Sequence, residues 1–293
     1  MKIPDRLALR FHARRSLKSA MLKAVMPYSA IALVVVACEK PPVEWKGAAQ
    51  QLAMPVPGDE GSASADAQLV FGADGSPALA TIAPAPTMPA DSAACPGSFR
   101  VSALSKTEIY STWWRQRDSS HASLVASRSD DGGATWTKTV PVDTTDRGAL
   151  ACARPAPSIF ADSTSGYVHV TYFLHSPAGP GVFFAHSMER GELYHSPVPI
   201  VYGERPSASA VSSADSVVVV AFEDPNTQQP KIAIAMSRTW GHIFSRERPD
   251  ASEGAAAVER PLVAVKFPQI AIGWRGQDKS IAARVGTLRS RTN

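Results

Sequence analysis

Ser129-Asp130-Asp131-Gly132-Gly133-Ala134-Thr135-Trp136 is the stretch that decides how the rest of this 293-residue chain is read. Taken locally, it is a tight turn between two antiparallel strands. Such a turn leaves backbone N–H groups without ladder partners, and short Ser and Asp side chains can accept from them. Gly133 supplies a position where φ can be positive without strain. Trp136 opens the next strand and can cover the turn with apolar area. The adjacent carboxylates Asp130 and Asp131 therefore belong to turn chemistry and not to acid/base work.

Two degenerate copies lie downstream. Ser187 to Tyr194 keeps the Ser, an acid, the Gly and a terminal aromatic; Ser237 to Phe244 keeps the Ser, Gly and aromatic, with Thr239 in the place of the acid. The three start at 129, 187 and 237, which are 58 and 50 residues apart. A second repeat runs in phase: Arg154-Pro155, Glu204-Arg205-Pro206 and Glu259-Arg260-Pro261, spaced by 51 and 55. Pro suits the start of a strand, because it cannot donate within a ladder. Each Arg-Pro precedes a two-strand unit rich in Val, Ile, Tyr and Phe: Ser158 to Phe173, Ser207 to Phe222, and Leu262 to Trp274. Phe99 to Trp114 reads the same way, as does Leu69 to Ile82 more weakly. The first unit lacks outer strands, and the last, near 260–288, shows three. No amphipathic helix is visible after residue 50.

The pattern Ser129-x-Asp131-x-Gly133-x-Thr135-Trp136 resembles the Asp-box (BNR repeat) motif of sialidase-like β-propellers. That resemblance implies an all-β fold: a β-propeller of about 4–6 antiparallel blades with Asp-box turns. The competing architecture is a β-sandwich with accidental spacing. Residues 67–293 form the expected propeller domain. A tether rich in Pro, Ala, Gly and Ser (39–66) is expected before it, mostly disordered or extended.

Residues 1–38 look like a signal peptide or helical membrane anchor. Seven basic residues precede an apolar run from Ala24 to Ala37, short for a bilayer span but suited to a signal-peptide core. The run ends in Val35-Val36-Ala37-Cys38, which resembles a bacterial lipobox whose Cys is lipidated. An uncleaved anchor is the alternative. This places the chain in the cell envelope, bound to membrane lipid, with the propeller on the extracytoplasmic (periplasmic) side. The leader also explains the charge of +4. The 30 basic residues less the leader's seven, and the 26 acidic less its one, leave 23 against 25. No nucleic-acid partner is implied. Cys95 and Cys152 sit a few residues ahead of inner strands in adjacent blades, so a disulfide is expected, with two separate thiols as the alternative.

The resemblance to sialidases extends to Phe99-Arg100-Val101-Ser102, which keeps the Phe-Arg of the family's Phe-Arg-Ile-Pro. It implies Arg100 as a carboxylate-binding residue, Asp118 as the acid/base and Tyr202, near Glu204, as the nucleophile. No Tyr follows Tyr202, although the family keeps its nucleophile late in the fold. Arg100, Arg154, Arg205 and Arg260 are the ligand-binding candidates, since strand-entering connections surround a propeller's central channel. The competing role for the repeated arginines is pairing with neighbours to hold blades together. The seven histidines show no metal-ligand spacing, and no phosphate loop or cofactor motif is present. Trp113 and Trp114 are expected in blade packing.

Two functions fit. The first is a non-catalytic scaffold, assembly or stabilising subunit of an envelope membrane protein complex, photosynthetic reaction-centre complexes being admissible by motif resemblance. The second is an exo-sialidase-type glycoside hydrolase or a lipoprotein that binds a small acidic sugar.

Overall fold

The computed structural model describes residues 42–53, 67–81, 86–228, 231–247, 259–276 and 280–289. The proposed leader, including Cys38, lies outside them. The described residues form 18 strands and no helix, so no helix among them is long and apolar enough to cross a membrane. The strands make five antiparallel sheets. Blade 1 is a two-stranded sheet, β2 (Gln68–Phe71) and β3 (Pro77–Ala80). Blade 2 holds β4 (Arg100–Ala103), β5 (Ile109–Gln116), β6 (Ala122–Ser129) and β7 (Val140–Asp143). Blade 3 holds β8 (Ser158–Ala161), β9 (Val168–Ser176), β10 (Gly179–Ser187) and β11 (Val198–Tyr202). Blade 4 holds β12 (Ser209–Ala214), β13 (Val217–Glu223), β14 (Ile232–Ser237) and β15 (Phe244–Glu247). Blade 5 holds β16 (Glu259–Lys266), β17 (Gln269–Arg275) and β18 (Ile281–Leu288), with β1 (Val43–Leu52) paired to β18 as its outer strand.

That last pairing corrects the tether reading over Val43–Leu52. The ladder runs from Val43 opposite Leu288 to Leu52 opposite Ile281, with a bulge between Lys46 and Gln50. The segment escapes a sequence reading because it is an edge strand, largely exposed, and rich in Ala, Gln and Gly. It needs only one buried face and contributes little hydrophobic pattern. By pairing across 245 residues it ties the start of the described chain to its end.

The inner strands β4, β8, β12, β16 and β2 touch in succession. Hydroxyls stitch successive members. Ser102 Oγ accepts from Ala161 N at 2.9 Å, Ser158 Oγ from Val211 N at 3.2 Å, and Ser212 Oγ from Val265 N at 3.1 Å. Gln68 Nε2 donates to Val101 O at 2.9 Å, joining blade 1 to blade 2. Leu69 packs with Ala264, Ala271 and Ala283 of blade 5 and closes the circuit. Among the described residues this makes a β-propeller of five blades, the first with two strands.

The core is a set of layers between blades. In β13 the alternation assigns residues to opposite neighbours. Val218, Val220 and Phe222 pack with Phe173 and Phe184 of blade 3, whereas Val217, Val219 and Ala221 pack with Ile270, Ile272 and Trp274 of blade 5. Both faces are covered, so the strand is a near-continuous apolar run and not an in-out alternation. Trp113 and Trp114 are wholly buried, as expected for packing residues.

The three turns read from the sequence as Asp-boxes all connect a third strand to a fourth. Ser129 Oγ accepts from Gly133 N at 2.8 Å, and Asp131 Oδ1 accepts from Thr135 N at 2.8 Å. Thr135 donates through its hydroxyl as well, which with Ser129 holds the Asp131 pKa down to about 2. Ser187 Oγ accepts from Gly191 N at 2.9 Å, and Ser237 Oγ from Gly241 N at 3.0 Å. In the third copy Thr239 Oγ1 takes the Asp role and accepts from Ile243 N at 3.1 Å. Both decayed copies thus keep the Ser-to-Gly bond, and the third keeps the second bond with Thr239 as substitute acceptor. Trp136 covers its turn, its Nε1 donating to Thr87 O at 2.8 Å.

Gly241 has φ +91, and a Cβ there would lie 2.5 Å from Phe184 Cζ in the core. Gly241→Ala is expected to destabilise the fold by about 2–3 kcal/mol, from left-handed strain plus overpacking. Equilibrium urea unfolding checks this; an unchanged midpoint would mean that the turn relaxes freely.

Candidate functional site

Antiparallel strands sort each blade's ends onto two rims. The first residues of the inner strand, the last of the second and the first of the third share one rim. The third-to-fourth turns, and so the Asp-boxes, lie on the other. A cavity of about 320 Å³ opens on the first rim, in the middle of the ring. Residues on all five inner strands line it, including Gln68, Val101, Ser158, Ile159, Ser209, Val211 and Val263. Arg100, Arg154, Arg260 and Arg275 supply its charge.

Each arginine reaches the cavity by a different route. Arg100 is the first residue of β4, and its Nη1 donates to Gly97 O at 3.0 Å. Arg260 lies in β16 beside the bulge between Glu259 and Leu262, with φ +46. Positive φ at a residue with a side chain costs about 1 kcal/mol or more, and such strain collects at functional positions. Its backbone N donates to Glu223 Oε1 at 3.0 Å, which helps hold that conformation. Arg275 ends β17.

Arg154 is the most constrained. Its side chain is fully buried and pairs with the equally buried Asp146, Nη2 to Oδ2, at 2.7 Å. Nε donates to Ala151 O at 2.7 Å, and the guanidinium lies 4.7 Å from the centre of the Trp114 ring. Asp146 also accepts from Ala122 N and Gly148 N. Arg154 Nη1, however, is buried without a hydrogen-bond partner. A buried donor left unmade is expensive, of order 1–3 kcal/mol, and a charged one more so. That donor is covered by protein, so Arg154 backs the cavity wall without presenting an open N–H to it.

The cavity gathers Arg100, Arg154 and Arg260, but not the other candidates. Arg205 turns its Nη2 to Asp224 O, joining the start of β12 to the end of β13. Asp118 sits in the exposed turn between β5 and β6. Its Oδ1 accepts from Ser120 N at 2.8 Å and His121 N at 2.9 Å. Those bonds, led by the Ser120 N–H and the His121 ring, lower its pKa to about 2, which suits a turn cap and not a proton donor. Tyr202 ends β11, the outer strand of blade 3, and is exposed. Neither Asp118 nor Tyr202 lines the cavity. Arg275 was missed by sequence reasoning, because Gly-Trp-Arg at a strand end carries no motif. Cys95 and Cys152 are joined by a disulfide with Cα atoms 5.2 Å apart, tying the lead-in to blade 2 to that of blade 3.

A second cluster lies near the opposite rim, between blades 3 and 4. The His186 ring stacks on His195 at 4.9 Å, meets His242 edge-on at 4.9 Å and lies parallel to Tyr167 at 6.0 Å. His169 packs against Phe184, and neither of its ring nitrogens has a partner. Burial first, and then the neighbouring His186, push the His169 pKa down to about 3. Burial, with His242 and His195 close by, pushes His186 down to about 4 against the opposing pull of Glu189. Among the described residues, no group of three or more His, Cys, Asp or Glu is placed to hold a metal ion.

No protein-family model matches this chain, and no curated protein matches it. Three solved structures are similar to it in part. The Hadza microbial sialidase Hz136 is 16% identical, with a TM-score of 0.46, over 62% of this chain and 42% of that one. A protein of unknown function from Dyadobacter fermentans DSM 18053 is 14% identical, with a TM-score of 0.48, over 64% of each chain. Trypanosoma rangeli sialidase is 13% identical, with a TM-score of 0.43, over 71% of this chain and 37% of that one. The match thus spans less than two thirds of each of these proteins. The propeller assignment stands on the strand topology above.

Proposed function

We propose that this propeller binds a small acidic ligand, with a carboxylate-bearing sugar as the ligand class, in the arginine-lined cavity, and does not hydrolyse it. The observation that carries the reading is the composition of the cavity wall. It contains four arginines, while no described lining residue is Asp, Glu, Tyr or His. Guanidinium groups recognise carboxylates through paired N–H donors. Glycoside hydrolysis needs a nucleophile and a proton donor beside the scissile bond, and neither is supplied by the described wall. A pocket of this size suits a monosaccharide better than a protein partner. It moves the acidic-sugar reading ahead of the scaffold role expected from the sequence. The site would act in the cell envelope, on a chain anchored through Cys38.

Calorimetric titration with N-acetylneuraminic and glucuronic acids, beside their methyl esters, tests this. At least one acid is expected to bind tenfold or more tightly than its ester. Arg260→Ala is expected to weaken it by about ten- to hundredfold, matching the ~1.5–3 kcal/mol of a charged hydrogen bond, with Tm unchanged. Equal affinity for acid and ester would overturn the reading. Release of fluorophore from a sialoside by the wild type would replace it with the hydrolase reading.

A further inference from the structure

The geometry points to a membrane-facing surface: the Asp-box rim of blades 3, 4 and 5 rests on a lipid bilayer through Met188, Leu193, Trp240, Ile243 and Phe267, so that the arginine cavity opens away from the membrane. This goes beyond the ligand proposal and does not rest on it.

Seven large apolar side chains are exposed among the described residues. Five of them share this rim, between 38% and 71% exposed. Met188 and Leu193 are in the second Asp-box, Trp240 and Ile243 in the third, and Phe267 in the turn between β16 and β17. First-to-second turns and third-to-fourth turns lie on the same rim in an antiparallel blade, so three successive blades present apolar tips together. The first Asp-box offers Asp130 and Thr135 at the positions taken by Met188 or Arg238, and by Leu193 or Ile243, in the others. The turn geometry is satisfied equally well by polar residues there, so the apolar choice is not imposed by the fold. Exposed apolar side chains on the turns of three successive blades, all on one rim, suit insertion into an interface.

The chain itself indicates the occupant. Arg238, in the third Asp-box, donates through Nη2 to Arg289 O, and Arg289 N donates to Pro42 O at 2.8 Å. Leu288 N donates to Pro268 O, beside Phe267, at 2.7 Å. Pro42 is therefore on the Asp-box rim, next to Trp240's turn and to Phe267. Val43 is five positions after Cys38, the expected lipid-bearing residue, a reach of at most about 17 Å. A lipid at Cys38 would hold this rim, and not the cavity rim, at the bilayer. Trp and aliphatic side chains on separate protruding turns suit the headgroup boundary, where each enters singly. Arg190, Arg238, Lys266 and Arg289 lie in or beside these turns with Glu44, Asp130, Glu189 and Glu192, and Arg190 pairs with Asp130 and Arg289 with Glu44. Contact is accordingly made by apolar insertion, and a zwitterionic lipid suffices.

The test uses the full chain, extracted from its membrane in mild detergent and reconstituted into vesicles of brominated phosphatidylcholine. Bromines quench tryptophan that reaches the acyl region, and Trp113, Trp114 and Trp274 are buried in the fold. Brominated lipid is expected to quench the wild type, and Trp240→Phe is expected to lose at least half of the quenchable signal. Phe keeps an aromatic at position 240, and an unchanged Tm and acid affinity in that variant shows fold and cavity intact. No quenching of the wild type, or equal quenching of both proteins, overturns the proposal. So does a Trp240 that is shielded from aqueous iodide in native membranes but open to it in the vesicles, which would assign the rim to a protein partner.

Discussion

Arg154→Leu is expected to be the most damaging single change in the cavity wall, lowering stability by about 3–5 kcal/mol. The residue forms a buried pair with Asp146 in which both side chains are fully covered. Removing the cation leaves the carboxylate buried, with only the Ala122 and Gly148 N–H groups as donors. The guanidinium's contact with Trp114, part of the layer between blades 2 and 3, is lost too. The double variant Arg154→Leu/Asp146→Leu removes both charges and is expected to recover part of that loss, because a buried pair as a whole contributes little beyond its own desolvation. Urea unfolding of the three variants checks this. A double variant as unstable as the sum of the singles would show that the two residues act independently. The same constraint explains why ligand affinity is better tested at Arg260 than at Arg154.

The second large effect is on acid stability. The folded-state pKa values of His169 and His186 are depressed, to about 3 and about 4, below the ordinary 6.5. The unfolded chain therefore takes up protons that the folded chain refuses. Stability is full above pH 6.5 and falls as the pH drops from there towards 4 and below. Each histidine contributes a slope of up to about 1.4 kcal/mol per pH unit in that window. From pH 7.5 to pH 4.5, His169 alone accounts for about 3 kcal/mol. Carboxylates titrate in the same range, so the informative comparison is with His169→Leu, which keeps the site apolar beside Phe184. The variant should lose less stability than the wild type over that interval, by about that amount. Parallel curves for the two proteins would mean that His169 is protonated in the folded state. Protonation would crowd positive charge beside His186, His195 and His242, with Glu189 the acid in reach of His195 at 3.7 Å.

The sequence by itself determined what is local. Eight residues carry a complete turn: a Ser acceptor, an Asp or Thr acceptor and a Gly at positive φ. Three turns in register that share the Ser acceptor and the positive-φ Gly, with Arg-Pro before the inner strands, specify stacked antiparallel blades. The two-stranded first blade and three of the four strands of the last were legible for the same reason. The adjacent-blade placement of Cys95 and Cys152 followed from the repeat.

Ring closure was decided by tertiary structure. Val43–Leu52 becomes a strand because β18 offers it an open edge, and nothing in its weak pattern demands that outcome. The membership of the cavity was decided the same way. Arg205 and Arg260 sit in equivalent Glu-Arg-Pro motifs, yet one turns to the Asp224 carbonyl while the other, beside a bulge and at positive φ, lines the channel. Arg275 joins them only because the end of β17 meets that rim. A motif fixes the backbone of its own few residues, whereas the space that a long cationic side chain occupies is set by partners outside the motif, as Asp224 O sets it for Arg205 and Asp146 for Arg154. The buried histidines show the same limit: His169 and His186 face each other across the β9–β10 pair, but His242 joins them only when blade 4 stacks on blade 3.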